Sequence, residues 1–137
     1  MISLTSEYAL RAMIYLAQHA DRWPVSGKEV AQGAGIPAKY LSTILSNLVR
    51  DGVLESTRGK SGGFRMVKPP KLTFLIDVLA PFEQLDQGRC PFGNTRCGDD
   101  DPCLAHHRWK KVVNSFHQFL HNTTVYDIAV QRRAAPV

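Results

Sequence analysis

The sequence predicts a mostly α-helical chain with one small β-hairpin and a long helix near its end. Three observations indicate this fold class. Apolar residues recur at helical spacing over residues 5–19, 26–50 and 104–120. Two short segments with strand character flank a turn that contains three glycines. No apolar run approaches the roughly 18 residues that a membrane-spanning helix needs, so no membrane partner is expected.

The first helix is predicted over residues 5–19, and a Trp-Pro pair stops it. A second, short helix starts at Ser26, where Glu29 follows three residues later in the pattern of a capping box. Gly33 and Gly35 are predicted to end this helix. A third helix opens with Pro37 in its first turn, where the missing N–H has no cost.

The third helix has one apolar and one polar face. Its buried stripe is predicted to be Leu41, Ile44, Leu45, Leu48 and Val49. Two short helices joined by a glycine-containing turn form a helix-turn-helix. The second of them offers hydroxyls and an amide for base edges, with cations at its ends for phosphates. An ordinary solvated face is the alternative. The DNA contacts predicted here are Ser26, Lys28, Pro37, Lys39, Tyr40, Ser42, Thr43, Asn47 and Arg50.

The next segment predicts a β-wing beside that helix. Residues 53–57 and 64–67 are the expected strands, joined by the turn from Arg58 to Gly63. A phosphate cradle for a nucleotide is disfavoured, because the GxxxxGK[ST] pattern is absent and strands flank the turn. Arg58, Lys60 and Ser61 are therefore predicted to meet a phosphate or a minor groove.

The charge distribution favours an anionic partner for the first half. Residues 1–71 contain ten Lys or Arg and five Asp or Glu, which accounts for the net charge of +5. Residues 72–137 contain seven of each sign. Double-stranded DNA fits a basic surface of this kind. No nucleophile–base pair or paired carboxylates accompany it, so an enzyme is not expected.

A short helix is predicted over residues 72–79, and a long one from about Leu104 to Leu120. The long helix carries a wide aromatic stripe for so small a chain. We expect it to pack against its twin in a homodimer, although it could instead cover the chain's own core. The predicted interface residues are Trp109, Val112, Val113, Phe116, Phe119 and Leu120. Thr124 and Asp127 resemble the cap of a final helix.

All three cysteines, Cys90, Cys97 and Cys103, lie between these helices in a polar segment rich in Gly, Asp and Pro. Soft thiolates gathered in one segment favour an iron–sulfur cluster or zinc. Zinc in a Cys₃His site usually uses shorter spacings, and a metal-free thiol switch is a further alternative. The first residues lack the pattern of a secretory signal, so we expect a cytoplasmic location with reduced thiols.

The order of these features resembles the winged-helix iron–sulfur regulators typified by IscR, NsrR and RirA. The matching segments are Ser6 to Arg11, Gly35 to Pro37, Tyr40-Leu41, Leu48 to Leu54, Arg58 to Phe64 and the cysteine segment. The resemblance implies a homodimer that binds promoter DNA under the control of a 2Fe–2S or 4Fe–4S cluster. It implies Cys90, Cys97 and Cys103 as ligands, with His106 or Glu7 of the partner subunit as the fourth.

The expected organisation has three parts. Residues 1–80 form the winged helix-turn-helix region. Residues 81–104 form the cluster-binding loop, and residues 105–137 form the dimerisation helix with the end of the chain. The signal would thus act between a DNA-reading part and a dimerising part.

Overall fold

The computed structural model describes residues 2–83 and 106–134. Its helices are α1 (Leu4–Gln18), α2 (Gly27–Ala34), α3 (Ala38–Arg50), α4 (Leu75–Leu79), α5 (His106–Asn122) and α6 (Val125–Ala134). Its strands are β1 (Leu54–Thr57) and β2 (Gly63–Met66). Short 3₁₀ turns occupy Ala20–Arg22 and Pro70–Leu72. The mostly helical fold with one small sheet is the one that the sequence predicts.

Helix α1 lies at the centre of the packing and contacts α2, α3, α4 and α6. One apolar core joins these helices to the sheet. Burying each large side chain removes apolar surface from water and contributes roughly 1.5–3 kcal/mol. The largest fully buried side chains are Met13, Leu16, Val30, Leu41, Leu45, Leu48, Leu54, Met66, Val78, Leu79, Leu120 and Val125.

Helix α2 starts where the sequence predicts and ends at Gly35, whereas Gly33, also predicted to end it, lies inside the helix. Its capping box is only half formed. The Ser26 hydroxyl accepts from the backbone N–H of Glu29 at 3.1 Å. The Glu29 carboxylate does not return to Ser26, because it binds Tyr15 and Arg22 instead. Gly35 ends the helix with φ of +67°, in the left-handed region that glycine adopts without strain.

Helix α3 begins one residue later than expected. Pro37 is its N-cap rather than a first-turn residue, and its carbonyl accepts from Leu41 at 3.1 Å. The predicted stripe is buried at Leu41, Ile44, Leu45 and Leu48, and Val49 is half-buried at its edge.

The wing forms with antiparallel register Leu54↔Met66 to Thr57↔Gly63. Strand β1 is one residue shorter than predicted, and β2 has the predicted length but lies one residue earlier in the sequence. The Val67 N–H still donates to the Val53 carbonyl at 3.1 Å. Close to the turn of the hairpin, Val25 and Phe64 exchange both backbone hydrogen bonds, at 3.0 and 2.8 Å. The hairpin is thereby joined to Val25, the residue before the N-cap of α2.

The helix predicted over residues 72–79 is interrupted. Thr73 and Phe74 are extended, because Leu75 N–H donates to the Thr123 carbonyl at 2.9 Å and Val125 N–H to the Thr73 carbonyl at 2.8 Å. This pairing fixes the α5–α6 corner against the start of α4. Among the described residues, no helix is long and apolar enough to cross a membrane.

Candidate DNA interface and cofactor site

The outer face of α3 presents the polar side chains expected of a DNA-reading helix. Lys39, Ser42 and Thr43 are exposed, and Asn47 is half-buried beside them. Ser46 is also exposed and was not among the predicted contacts. Its hydroxyl donates to the Ser42 carbonyl at 3.0 Å, a bond within the helix that leaves its oxygen facing out.

Tyr40 is shared between this face and α1. Tyr40 is 51% exposed, and its ring stacks on that of Tyr8 with centroids 6.4 Å apart. The Lys39 ammonium lies 5.2 Å from the Tyr40 ring centre. A groove of about 400 Å³ runs between the two helices, lined by Leu4, Thr5, Tyr8, Tyr40, Thr43, Ile44 and Asn47.

The start of α2 adds a second surface of the same kind. Ser26 and Lys28 are exposed there, where the free N–H groups of a helix N-terminus attract phosphate. The wing is held close to this point. A Cβ atom on Gly63 would lie 2.3 Å from the Val25 carbonyl, so a side chain at position 63 would push the wing away from α2.

The wing tip is cationic. Arg58, Lys60 and Ser61 are exposed, and among the described residues no carboxylate lies within 4.0 Å of either cation. Arg50, by contrast, lies 3.7 Å from its neighbour Asp51. Arg58 and Lys60 are therefore better placed than Arg50 to neutralise a phosphate.

The sequence does not predict a polar cluster of Tyr15, Arg22 and Glu29 on the other side of α2. Hydrogen bonds from Arg22 and Tyr15 hold the pKa of Glu29 below its ordinary value, and Glu29 in turn raises the pKa of Arg22. Partial burial, and then the Glu29 carboxylate, raise the pKa of Tyr15. The cluster ties α1, the first 3₁₀ turn and α2 together behind the candidate DNA-binding surface.

The predicted cofactor ligands fall in different parts of the chain. Cys90, Cys97 and Cys103 lie outside the described residues. His106 begins α5 and is 2% exposed, with its ring 5.1 Å from that of His107. Glu7 lies in the first turn of α1, and its side chain is 56% exposed and 4.0 Å from Arg11. Within residues 2–83 and 106–134, no group of three or more His, Cys, Asp or Glu side chains is arranged to bind a metal.

Arg11 extends from Glu7 toward the DNA-binding part. Its guanidinium donates to the carbonyl oxygens of Ala34 and Gly35, at 2.5 and 3.1 Å. These carbonyls lie at the end of α2 and at the start of the turn that leads to α3. Glu7 and the helix-turn-helix turn are thus bound to the same side chain.

Glu83, although distant in sequence, binds the first turn of α1, and no sequence pattern indicates this contact. Its Oε1 accepts from the Ser3 N–H at 2.8 Å and from the Ser6 hydroxyl at 2.7 Å. Desolvation of this half-buried carboxyl raises its pKa, but the hydrogen bonds from Ser3 and Ser6 outweigh it and hold the pKa below the usual value. The group is therefore an anion at the N-terminus of α1.

The predicted dimer stripe divides into two rows. Val112 and Phe119 are each 48% exposed and lie two turns apart on one face of α5. Trp109, Val113 and Phe116 are half-buried. The interface prediction is wrong for Leu120, because this residue is fully buried in the core of its own chain and has no surface left for a partner helix.

Comparison with known proteins agrees with this geometry. A model of the Rrf2 family, described as iron-dependent transcriptional regulators, matches residues 2–131. The chain belongs to the Rrf2 family. IscR of Aliivibrio salmonicida is 30% identical over 139 residues, covering 99% of this chain and 82% of the relative. IscR of Yersinia enterocolitica is 32% identical over 128 residues, covering 91% and 77%.

Two solved Rrf2-type structures have the same fold. IscR of T. potens superposes with a TM-score of 0.79 at 25% identity, covering all of this chain and 92% of that one. CymR, described as the global cysteine regulator of B. subtilis, gives a TM-score of 0.80 at 26% identity, covering 96% and 97%. The chain is a DNA-binding transcriptional regulator, and its relatives are regulators rather than enzymes.

Proposed function

We propose that this Rrf2 protein is a homodimeric regulator whose binding to promoter DNA is controlled by an iron–sulfur cluster on Cys90, Cys97 and Cys103. One observation carries the proposal. All three cysteines fall in one segment, between a DNA-reading unit and an α5 helix with an exposed apolar row. We expect it to act in the cytoplasm, where thiolates stay reduced.

The donor set fits an iron–sulfur cluster. Three thiolates with one oxygen or nitrogen donor leave a single weak, exchangeable position, which suits a sensor of redox state, nitric oxide or iron supply. Glu7 is exposed in the first turn of α1 and is open to a second chain. His106 is enclosed at the start of α5, next in sequence to the cysteine segment. These are the two candidates for the fourth ligand.

A dimer explains why α5 exposes Val112 and Phe119. Pairing two copies through this row would remove apolar surface from water and set the spacing of two recognition helices. Loss of the cluster would then alter that spacing. The coupling must be reciprocal, so bound DNA is expected to change cluster stability.

The second candidate is regulation by the thiols without iron, as a disulfide switch or a zinc site. It is favoured by the same three cysteines and by the likeness to CymR, described as a global cysteine regulator. It differs from the first proposal in having no visible chromophore.

The test is the visible absorption of protein purified without oxygen, combined with its affinity for operator DNA selected from a random library. Iron–sulfur control predicts thiolate-to-iron bands that bleach under nitric oxide, together with a change in affinity. Replacing any one cysteine with Ala should abolish the bands, while His106→Ala and Glu7→Ala separate the two fourth ligands. A colourless protein whose affinity follows the thiol oxidation state instead supports the second candidate.

A further inference from the structure

Glu83 is held at both ends. Its backbone N–H donates to the Leu79 carbonyl at 2.9 Å, which fixes it to the end of α4. Its carboxylate binds Ser3 and Ser6 across 80 and 77 residues of sequence. Ser6 is completely buried, so this contact has little freedom to move. Any displacement of residue 83 must therefore shift α1 or break these bonds.

The bonds lie at the N-terminus of α1. Ser3 is the N-cap, and its hydroxyl accepts from the Ser6 N–H at 3.2 Å. The Glu83 anion adds a charge-assisted acceptor at the positive end of the helix dipole. The position of the first turn of α1 thus depends on Glu83 as well as on its own cap.

The same turn reaches the recognition helix. Tyr8 follows Ser6 on α1 and stacks on Tyr40 of α3, with centroids 6.4 Å apart. A movement of the first turn of α1 therefore displaces a ring that packs against the DNA-reading face. On the other side, Glu83 lies near the start of the predicted cluster-binding loop, seven residues before Cys90 in the sequence.

We propose that Glu83 is a positioning residue that couples the cysteine segment to the recognition helix, through Ser3 and Ser6 and then the Tyr8–Tyr40 stack. This inference rests on the proposed function, because the signal it transmits is the state of the cysteines. A simple cap would stabilise α1 equally in both states of the regulator. A positioning residue instead changes the difference in DNA affinity between the two states.

The experiment compares DNA affinity of the full-length protein with and without its cluster, reconstituted from ferrous iron and sulfide. Allosteric coupling typically amounts to about 5–150-fold in affinity. Glu83→Ala is expected to bring the ratio of the two affinities close to one while the visible bands remain. Asp127→Ala is the matched control, because Asp127 accepts the Thr124 N–H at 2.9 Å at the start of α6 and has the same capping chemistry. It should lower stability and leave the ratio unchanged.

A second readout needs no cluster. In metal-free protein, Glu83→Ala should speed amide hydrogen exchange in the first turn of α1 and around Tyr40, whereas Asp127→Ala should not. Tyr8→Leu tests the path, since its effect on the affinity ratio should not add to that of Glu83→Ala if both act along one route.

The outcomes separate the two proposals. A wild-type ratio of one overturns cluster control and this inference with it. A wild-type ratio that differs from one and survives in Glu83→Ala overturns the positioning role alone. Unchanged exchange around Tyr40 in Glu83→Ala, or additive effects with Tyr8→Leu, overturn the path through the stacked rings.

Discussion

A Cβ atom on Gly33 would lie 2.1 Å from Cε2 of Tyr15, so the tyrosine ring fills the space that a side chain at position 33 would need. The ring is held from two sides. Its hydroxyl donates to Glu29 at 2.8 Å, and its face stacks on His19 with centroids 4.1 Å apart. Moving the Tyr15 ring to relieve a clash with a side chain at position 33 would break both contacts.

Gly33→Ala is therefore expected to lower the free energy of unfolding by about 1–3 kcal/mol, through overpacking. Urea denaturation followed by circular dichroism measures this change. The control is Gly27→Ala in the same helix, whose Cβ would make an ordinary contact at 3.4 Å with Phe64. It should change stability by less than about 1 kcal/mol. Equal effects of the two substitutions would mean that the Tyr15 ring is not the cause.

The Glu29 cluster predicts a pH dependence of stability. Because the folded-state pKa of Glu29 lies below its ordinary value, its contribution is present above the unfolded-state pKa. That contribution is lost as the pH falls through the folded-state pKa. Glu29→Gln should reduce the free energy of unfolding at neutral pH. It should also weaken the fall of that free energy at acidic pH, measured by urea unfolding at a series of pH values. Glu55→Gln, in the wing, is the control, and a fall at acidic pH unchanged by Glu29→Gln contradicts the prediction.

The wing cations should bind phosphate without regard to sequence. Arg58→Ala and Lys60→Ala are each expected to weaken binding to every DNA sequence, and to reduce the slope of log affinity against log salt by about 1. Fluorescence anisotropy over a range of salt concentrations measures both effects. Lys71→Ala is the control, because Lys71 lies 4.7 Å from the Tyr126 ring centre, on another part of the surface. Salt-dependence slopes that match the wild type for both wing variants would mean that the wing does not contact DNA phosphates.

The exposed hydroxyls of α3 should instead determine base preference. Ser42→Ala and Thr43→Ala are each expected to cost about 1–3 kcal/mol at one base position and little at others, if the side chain contacts that base edge. Selection from a random DNA library, repeated for each variant, identifies the position. Ser46→Ala tests the exposed residue that the sequence analysis left out. Unaltered preferences in all three would assign the reading of bases to other residues.

Two neighbours on α5 should give opposite results. Phe119 is 48% exposed, so Phe119→Asp is expected to yield folded monomers by placing a charge in the proposed interface. Leu120 is fully buried, so Leu120→Ala should cost about 2–5 kcal/mol of stability without changing the oligomeric state. Analytical ultracentrifugation and urea denaturation distinguish the two. A wild-type monomer at micromolar concentration contradicts the dimer.

Elements with strong local signals were predictable from the sequence. The periodicity of α1 and α3, the Ser26 cap and the glycine turn of the wing all have local causes. The cap of α6 is also confirmed, since Thr124 and Asp127 exchange hydrogen bonds at 2.9 and 3.1 Å. Each depends on residues within about one turn of one another.

The features that the sequence did not predict depend on contacts between residues distant in sequence. Backbone pairing between Thr73 and Val125 interrupts a segment whose apolar spacing predicts a continuous helix. Leu120 follows the same periodicity as Phe116, and spacing does not distinguish a chain's own core from a partner. Glu83 reaches Ser3 only after α4 packs on α1. In each case tertiary contacts, which no local pattern encodes, decide the outcome.

The two hydrogen bonds between Val25 and Phe64 make the wing and the start of α2 a single rigid unit. The distance between the start of α2, where we propose a phosphate contact, and the cationic tip is therefore built into the protein. If the wing tip enters a minor groove, a flexible wing could follow grooves of different widths, whereas this one would require a particular width from the duplex. We therefore expect operators to be selected partly by how easily the groove at their flanking base-pair steps narrows or widens, at base pairs that no side chain touches.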